Sequence, residues 1–332
     1  MEFRTVQDMS AAIQRNLSRV PASTRLVVGA SPGGLVAASL LARYLNLPCT
    51  DIEGFLQGGW FTANSMRHEN LGDHGRLERG ADIVVVDDCL SESTGIENVR
   101  RRLLALGNQC SITYVTIYAL PEYQDRVDLV FDVASEPAVF EWSIFHDALL
   151  ADTCVDIDGV LCVDPTPSEN DDGERYAEFL AKASPLMRPS ATIGTLVTSR
   201  LEHYRPLTEA WLQDHGIAYN RLIMMDYATA NERSRANRQA HFKAKAYRDT
   251  GALLFIESSP ILAHHIAQLA KKPVLEYGRG ELALPRLSGM VQVRAQRLAW
   301  HYRRVRRSPR KLGRIGLRHV RARYRKLSRP DG

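Results

Sequence analysis

The chain has 332 residues, of which 45% are apolar and 24% are charged, as expected for a globular protein with two domains. No stretch approaches about 18 uninterrupted apolar residues, and the first residues lack the basic-then-apolar order of a signal peptide. The five cysteines include no Cys-x-x-Cys pair, which argues against a zinc site and favours reduced thiols in the cytoplasm.

The formal net charge of +5 conceals a strong asymmetry along the chain. Residues 294–332 contain 15 Lys and Arg and a single acid, Asp331. Residues 1–293 therefore contain 28 Lys and Arg against 37 Asp and Glu, a net charge of about −9. The basic character belongs to a C-terminal tail, and the body of the protein is acidic.

The first half of the chain alternates predicted strands and helices. The run RLVVGA at 25–30 predicts a buried strand that ends in the turn SPGG, and LVAASLLARYL at 35–45 has helical periodicity. Further strands are predicted at ADIVVVDD, SITYVTIYAL and DLVFDVA. This alternation is typical of a parallel α/β sheet.

A second series of strands begins at residue 152 and predicts a second α/β domain. Its members are DTCVDID, ATIGTLVTSR, RLIMMD, ALLFIE and KPVLEYG. The run FEWSIFHDALLADT between the two series predicts a connecting helix. The predicted organisation is one parallel-sheet domain at 1–145, another at 152–280 and a basic amphipathic helical tail at 290–332.

Two acids end the predicted strand at 81–88. Asp87 and Asp88 stand at the carboxyl end of that strand, where ligands bind in open parallel sheets. The hydroxyl residues Ser91, Ser93 and Thr94 follow at the start of a helix, a place that suits a phosphate. The turn at 31–34 begins another helix, and its two glycines would let the backbone approach an anion closely.

Together, VVVDDCLSEST and the upstream SPGG resemble the ribose-phosphate motif and pyrophosphate loop of type I phosphoribosyltransferases, over residues 20–140. The resemblance implies phosphoribosyl pyrophosphate (PRPP) as substrate, with Mg²⁺. It implies that Asp87 and Asp88 bind the ribose hydroxyls, directly or through Mg²⁺. The remaining PRPP-binding residues would be Ser31, Pro32, Gly33 and Gly34 for pyrophosphate, and Ser91, Ser93 and Thr94 for the 5-phosphate. Glu92 stands where the family usually has glycine, so a non-catalytic PRPP-sensing domain is an alternative.

The run DIDG at 156–159 resembles the first motif of haloacid-dehalogenase (HAD) superfamily phosphatases, and the resemblance covers residues 152–278. It implies that Asp156 attacks phosphorus and that Asp158 protonates the leaving oxygen and later activates water. Thr198 matches the second motif, with Ser199 as the adjacent alternative. Lys243 matches the third motif, with Lys245 close by.

The fourth element of the HAD resemblance is Glu257, at the tip of ALLFIE. The resemblance implies that Mg²⁺ binds at Asp156, Asp158 and Glu257. About 35 residues separate DIDG from the next strand, so only a small cap is expected. The segment DPTPSENDDGERY predicts a modest lid that leaves room for a bulky phosphorylated substrate.

The tail mixes arginine with aromatic and aliphatic residues at spacings of three, four or seven, as on an amphipathic helix. Such a segment suits an anionic membrane surface. Nucleic acid is the rival partner, and a solvated tail without a partner is the third possibility.

The two resemblances, in this order, are similar to fused phosphoribosyltransferase–phosphatase enzymes that build ribofuranose into bacterial surface polysaccharides. The implied activity is transfer of 5-phosphoribose from PRPP to a glycan hydroxyl, followed by removal of the 5-phosphate. A membrane-seeking tail would place a cytoplasmic enzyme at the inner face of the cell membrane. In the alternative, from nucleotide metabolism, a nucleobase is the acceptor and the phosphatase releases a nucleoside.

Overall fold

The computed structural model describes residues 1–57, 80–91, 93–104 and 110–285. Packing divides the chain into two compact units, Glu2–Trp142 and the residues from Ser143 onward, with Met1 grouped with the second. The predicted helical tail at 290–332 lies outside the described residues. Within the described ranges, no helix is both long and apolar enough to cross a membrane.

The first unit consists of alternating strands and helices. Its strands are β1 (Glu2–Arg4), β2 (Thr24–Gly29), β3 (Cys49–Asp51), β4 (Ala81–Leu90), β5 (Cys110–Ala119), β6 (Leu129–Val133) and β7 (Ala138–Phe140). Its helices are α1 (Val6–Asn16), α2 (Pro32–Leu45), α3 (Ile52–Leu56) and α4 (Ser93–Leu104). Five strands form one parallel sheet in the order β3-β2-β4-β5-β6, and β1 pairs with β7 in a separate parallel ribbon.

The two faces of this sheet are covered by different helices. Val27, Val84 and Val86 belong to a core cluster with buried residues of α1 and α2. Their neighbours along the strands, such as Val28 and Val85, pack with buried residues of α3 and α4 on the opposite face. Because side chains alternate along a strand, these uninterrupted apolar runs require helices on both faces. The unit is a three-layer α/β/α structure.

The second unit repeats the alternation. Its strands are β8 (Thr153–Val155), β9 (Thr195–Leu201), β10 (Leu222–Met225), β11 (Leu254–Glu257), β12 (Val274–Glu276) and β13 (Glu281–Ala283). Its helices are α5 (Glu174–Lys182), α6 (Arg205–Asp214), α7 (Ala230–Ala236), α8 (Gln239–Asp249) and α9 (Pro260–Ala270). The sheet order is β10-β9-β8-β11-β12-β13, parallel except that β13 runs antiparallel to β12.

Each predicted strand of both series is confirmed, and the protein is a mixed α/β structure built on parallel sheets. The predicted connecting helix is wrong. The chain there makes turns and a short 3₁₀ helix at Ala148–Asp152. The Asp147 side chain accepts a hydrogen bond from the Leu149 amide at 2.7 Å, and aspartate commonly competes in this way with a continuing α-helix.

Candidate active sites

The strand order of the first sheet reverses between β2 and β4, since β3 lies on one side of this pair and β5 and β6 on the other. Ligands of open α/β sheets bind beyond the carboxyl ends of the strands at such a switch point. Ser31 follows β2, and Asp87 and Asp88 lie near the carboxyl end of β4. The residues predicted to bind PRPP therefore meet at the switch point of their own sheet.

Ser31 links the beginning of α2 to the two acids. As the N-cap of α2, its hydroxyl oxygen accepts a hydrogen bond from the Gly34 amide at 2.8 Å. The same hydroxyl donates to Asp87 Oδ1 at 2.5 Å and approaches Asp88 Oδ1 at 3.3 Å. An N-cap serine fixes the first turn of a helix, so Ser31 holds both carboxylates against the positive end of the α2 dipole.

The glycines predicted to approach an anion lie instead against the acids. A Cβ atom at Gly33 would stand 2.1 Å from Asp88 Oδ2, and one at Gly34 would stand 2.7 Å from the Val86 carbonyl oxygen. Both glycines belong to the first turn of α2, which begins at Pro32. Small residues are needed here because the helix packs directly on the end of β4.

Trp142 was not identified from the sequence. Its indole Nε1 donates a hydrogen bond to Asp88 Oδ2 at 2.6 Å. The half-buried ring lies 4.9 Å from the ring of Phe140, which in turn lies 5.6 Å from that of Tyr118. An aromatic cluster thus flanks the acid pair.

The Asp88 carboxylate is close enough to affect the ionisation of Asp87. Burial and the neighbouring Asp88 carboxylate raise the pKa of Asp87 to about 7. A second negative charge at this place is unfavourable unless a cation or several donors balance it. Mg²⁺ is commonly held by one or two carboxylates together with substrate phosphates, so the donor set of Asp87 and Asp88 fits this ion.

The predicted 5-phosphate loop is described in part. Ser91 follows β4, and Ser93 and Thr94 lie in the first turn of α4, so the predicted helix start is confirmed. The side chains of Ser93 and Thr94, and all of Glu92, fall outside the described residues.

The second sheet reverses its strand order between β8 and β11. Asp156 follows β8, and Glu257 ends β11. Both line a cavity of about 560 Å³. Gly159 directly follows Asp158 and has a φ of +73°, and a Cβ atom there would stand 2.4 Å from Ser258 Oγ. The sharp turn at this position therefore requires glycine.

A buried lysine joins the two acids at this switch point. Lys243 Nζ donates to Asp156 Oδ2 at 2.6 Å and to Glu257 Oε2 at 2.7 Å. Although burial alone would lower the pKa of Lys243, the two carboxylates raise it above its ordinary value. The Ile157 amide donates to the other oxygen of Asp156 at 2.9 Å. Lys245 is exposed and pairs with Asp249, so Lys243 is the lysine that the fold brings to the acids.

Asp158 has a different partner. The buried guanidinium of Arg200 donates to Asp158 Oδ1 from Nη2 at 2.6 Å and from Nε at 3.1 Å. Arg200 Nη2 also donates to the Sγ of Cys162 at 3.2 Å. This two-point contact fixes the orientation of the Asp158 carboxylate. Arg200 directly follows the predicted second motif, yet sequence reasoning did not assign it.

Ser199, the alternative to Thr198, lines the cavity. Thr198 is fully buried, and its hydroxyl accepts a hydrogen bond from the Arg200 amide at 3.2 Å. The sequence also missed Asp164 and Arg233, which line the same cavity. Burial, followed by the carboxylates of Asp158 and Glu257, raises the pKa of Asp164.

The charges around the cavity bear on the predicted metal. Four carboxylates line it, against two cations: Asp156, Asp158, Asp164 and Glu257 against Lys243 and Arg233. No three His, Cys, Asp or Glu side chains in the described ranges form a metal-binding group. Mg²⁺ needs fewer protein ligands because it keeps several waters. Because Arg200 also pairs with Asp158, the four carboxylates exceed the three cations by one, which leaves a place for a cation, with Asp158 the least available ligand.

Replacing Lys243 with Met should destabilise the second unit by about 3–5 kcal/mol, because it leaves two buried carboxylates facing each other. The matched control is Lys245→Met, on the same helix, which removes only a surface ion pair of about 0.3–0.5 kcal/mol. Urea denaturation followed by circular dichroism measures both variants. Equal stability of the two would contradict the role of Lys243 as the buried counter-ion.

No protein-family model and no curated protein sequence matches the chain. Among solved structures, it is similar to the xanthine-guanine-hypoxanthine phosphoribosyltransferase of Helicobacter pylori, with 14% identity and a TM-score of 0.31 over 43% of this chain and 92% of that one. A purine phosphoribosyltransferase of Pyrococcus horikoshii is 20% identical, with a TM-score of 0.31 over 42% and 92% of the two chains. The orotate phosphoribosyltransferase of Aeropyrum pernix is 20% identical, with a TM-score of 0.27 over 38% and 70%. At TM-scores this low, no functional conclusion follows from the likeness.

Proposed function

We propose that the chain is a two-step enzyme. The first unit transfers 5-phosphoribose from PRPP to an acceptor, a glycan hydroxyl, and the second removes the 5-phosphate from the product. One observation carries the proposal: acids meet at the strand-order switch point of both sheets, Asp87 and Asp88 in the first, Asp156 and Glu257 in the second.

In the first unit, Asp87 and Asp88 would accept hydrogen bonds from the ribose hydroxyls, with Trp142 and Ser31 holding them in place. The beginning of α2 offers the positive end of a helix dipole to pyrophosphate. Asp87 and Asp88 in this unit, and Asp156 and Glu257 in the second, would hold Mg²⁺, which would supply positive charge to offset that of the phosphate groups. The main contribution of the protein is electrostatic support for the departing pyrophosphate.

In the second unit, Asp156 is the nucleophile. Its carboxylate lines the cavity and is oriented by Lys243 and the Ile157 amide. Attack on phosphorus forms an aspartyl phosphate and releases the sugar hydroxyl, which takes a proton from Asp158. Asp158 then removes a proton from the water that hydrolyses the intermediate. Proton donation in the first step requires Asp158 to leave its contact with Arg200.

The order of the steps gives the fusion a chemical purpose. Phosphoribosyl transfer with pyrophosphate release is reversible, whereas hydrolysis of the 5-phosphate removes the group by which the first unit would recognise the product. The basic tail suits an acceptor on an anionic membrane.

A second candidate is nucleobase transfer followed by release of a nucleoside. The half-buried Trp142 ring beside Asp88 favours it, because stacking on an aromatic ring suits a planar base.

Incubation of the full chain with PRPP and Mg²⁺ tests the proposal, with pyrophosphate and inorganic phosphate measured separately. Lipid-linked or soluble glycans form one set of acceptors, and purine and pyrimidine bases form the other. Release of both products with a glycan alone supports the first candidate, and release with a base supports the second. Tight binding of PRPP without pyrophosphate release with either set would make the first unit a sensor.

Deleting residues 294–332 should abolish binding to anionic vesicles and leave phosphate release from soluble monoesters intact. The 15 Lys and Arg of this segment can each contribute up to about 1 kcal/mol near an anionic leaflet, whereas the acidic body is repelled by it. Flotation with phosphatidylglycerol vesicles at low and high salt measures the effect. Full-length protein that stays at the bottom of the gradient, or that prefers duplex nucleic acid, would rule out the membrane role.

A further inference from the structure

One positively charged side chain that lines the cavity of the second unit, that of Arg233, has no part in the proposed chemistry. Arg233 lies on α7, the helix that follows β10, and it lines the same cavity as Asp156. Its Nη1 donates to the Ser199 carbonyl oxygen at 2.8 Å. Ser199 is part of β9, so this contact fixes the guanidinium beside the strand that neighbours β8.

Two buried polar atoms at this contact, Arg233 Nε and Ser199 Oγ, have no hydrogen-bond partner within the part of the chain that the structure describes. Buried polar atoms are nearly always paired, and an unpaired donor lowers stability unless a ligand or water completes it. The two residues are joined by a hydrogen bond and line the same cavity. Two such atoms so placed indicate a site for a ligand with several acceptor oxygens.

The two cationic side chains that line the cavity, Lys243 and Arg233, differ in their ion pairs. Lys243 is held by Asp156 and Glu257. None of the ion pairs within the described ranges includes Arg233. Its charge is therefore available to an incoming anion, in a cavity whose other cation is neutralised.

We propose that Arg233 is a further phosphate-binding residue of this cavity, beside the hydroxyl of the second-motif candidate Ser199, and that it selects dianionic phosphate monoesters. This inference rests on the proposed phosphatase activity of the second unit. A phosphate presents three terminal oxygens, so it can accept from the guanidinium and from the hydroxyl at once. A planar, permanently charged guanidinium matches this geometry.

The chemistry also favours a monoester over a diester. A monoester carries close to two negative charges at neutral pH, and both are attracted to the positively charged guanidinium. A diester carries one charge and an extra substituent on phosphorus, so it gains less from Arg233. The substrate class is thus a sugar or nucleoside 5-phosphate with a free phosphate terminus.

Calorimetry with inorganic phosphate as the probe, in excess Mg²⁺, separates binding from turnover. The Asp156→Asn protein is compared with the same protein carrying Arg233→Gln, and with one carrying Arg235→Gln as the control. Arg235 lies on the same helix, is exposed and does not line the cavity. We expect Arg233→Gln to weaken phosphate binding about tenfold to a hundredfold, and Arg235→Gln to leave it unchanged.

Kinetics of the otherwise unmodified enzyme give a second measurement. Arg233→Gln should raise KM for ribose 5-phosphate more than it lowers kcat. Arg233→Lys keeps the positive charge and should restore part of the loss. Ser199→Ala should weaken phosphate binding without a change of charge. Phosphate affinity and KM within twofold of the parent in all three variants would overturn the subsite and leave the phosphatase standing. If the parent hydrolyses no phosphate monoester and binds no phosphate, the proposed function fails together with the inference.

Discussion

Replacing Asp156 with Asn should reduce phosphate release by about a thousandfold or more, since the amide cannot form the aspartyl phosphate on which hydrolysis depends. The substitution preserves the size of the side chain. Lys243 also keeps its contact with Glu257, so the variant is expected to fold. Release of inorganic phosphate from ribose 5-phosphate measures the loss.

Two controls belong to this experiment. Asp226 is exposed and follows β10 in the same sheet without lining the cavity, so Asp226→Asn should release phosphate at the parent rate. PRPP affinity, measured by calorimetry, should be unchanged in Asp156→Asn because the acids of the first unit are on a different sheet. If a folded Asp156→Asn protein loses PRPP binding and phosphatase activity equally, the assignment of the two units is wrong.

Replacing both Asp87 and Asp88 with Asn should weaken PRPP binding at least about a hundredfold. Each acid gives up a charge-assisted hydrogen bond to ribose, which typically contributes about 1.5–3 kcal/mol, and the site loses the charge that attracts Mg²⁺. Both asparagines can still accept from Ser31 and Trp142, so the loss should come from ligand binding rather than from unfolding. Calorimetry with PRPP and Mg²⁺ gives the affinity.

The control for the double variant is Asp82→Asn, at the opposite end of the same strand β4. It should bind PRPP as the parent does, and its phosphate release should also be normal. Unchanged PRPP affinity in the Asp87 and Asp88 variant would remove the basis of the transferase proposal.

The strands could be predicted because each is an apolar run that ends in polar residues. A strand covered by helices on both faces shows this as a continuous pattern, and β4 is an example. The prediction of a helix over the connecting segment 140–153 was wrong for a different reason. Its spacing of apolar residues suits a helix, but Asp147 forms a local hydrogen bond that tightens the chain into a 3₁₀ turn.

In the second candidate site, the sequence could not show which of two nearby residues of the same chemical type reaches the cavity. Thr198 and Ser199 point to opposite sides of β9 because side chains alternate along a strand, and a shift of one residue exchanges them. Lys243 and Lys245 are two positions apart on α8, a spacing that places side chains on different faces of a helix. Only the packing of α8 against the sheet shows that Lys243 reaches the acids.

The missed residues depend on contacts between distant parts of the chain. Trp142 meets Asp88 across 54 positions, and Arg200 meets Asp158 across 42. Arg233 contributes no recognisable motif, and its proposed role rests on a buried Nε atom that has no hydrogen-bond partner among the described residues.

The bond between Trp142 and Asp88 has a practical consequence. Indole emission responds to the charge next to the ring nitrogen, so any ligand that changes the position of Asp88 should shift the protein's intrinsic fluorescence. The other three tryptophans would add a background: Trp211, whose indole donates to the Ala183 carbonyl oxygen in the buried interior of the second unit, and Trp60 and Trp300, which lie outside the described residues. Comparison with Trp142→Phe isolates the signal. The first unit thus carries its own optical probe, and occupancy of its acid pair can be followed in real time without a label.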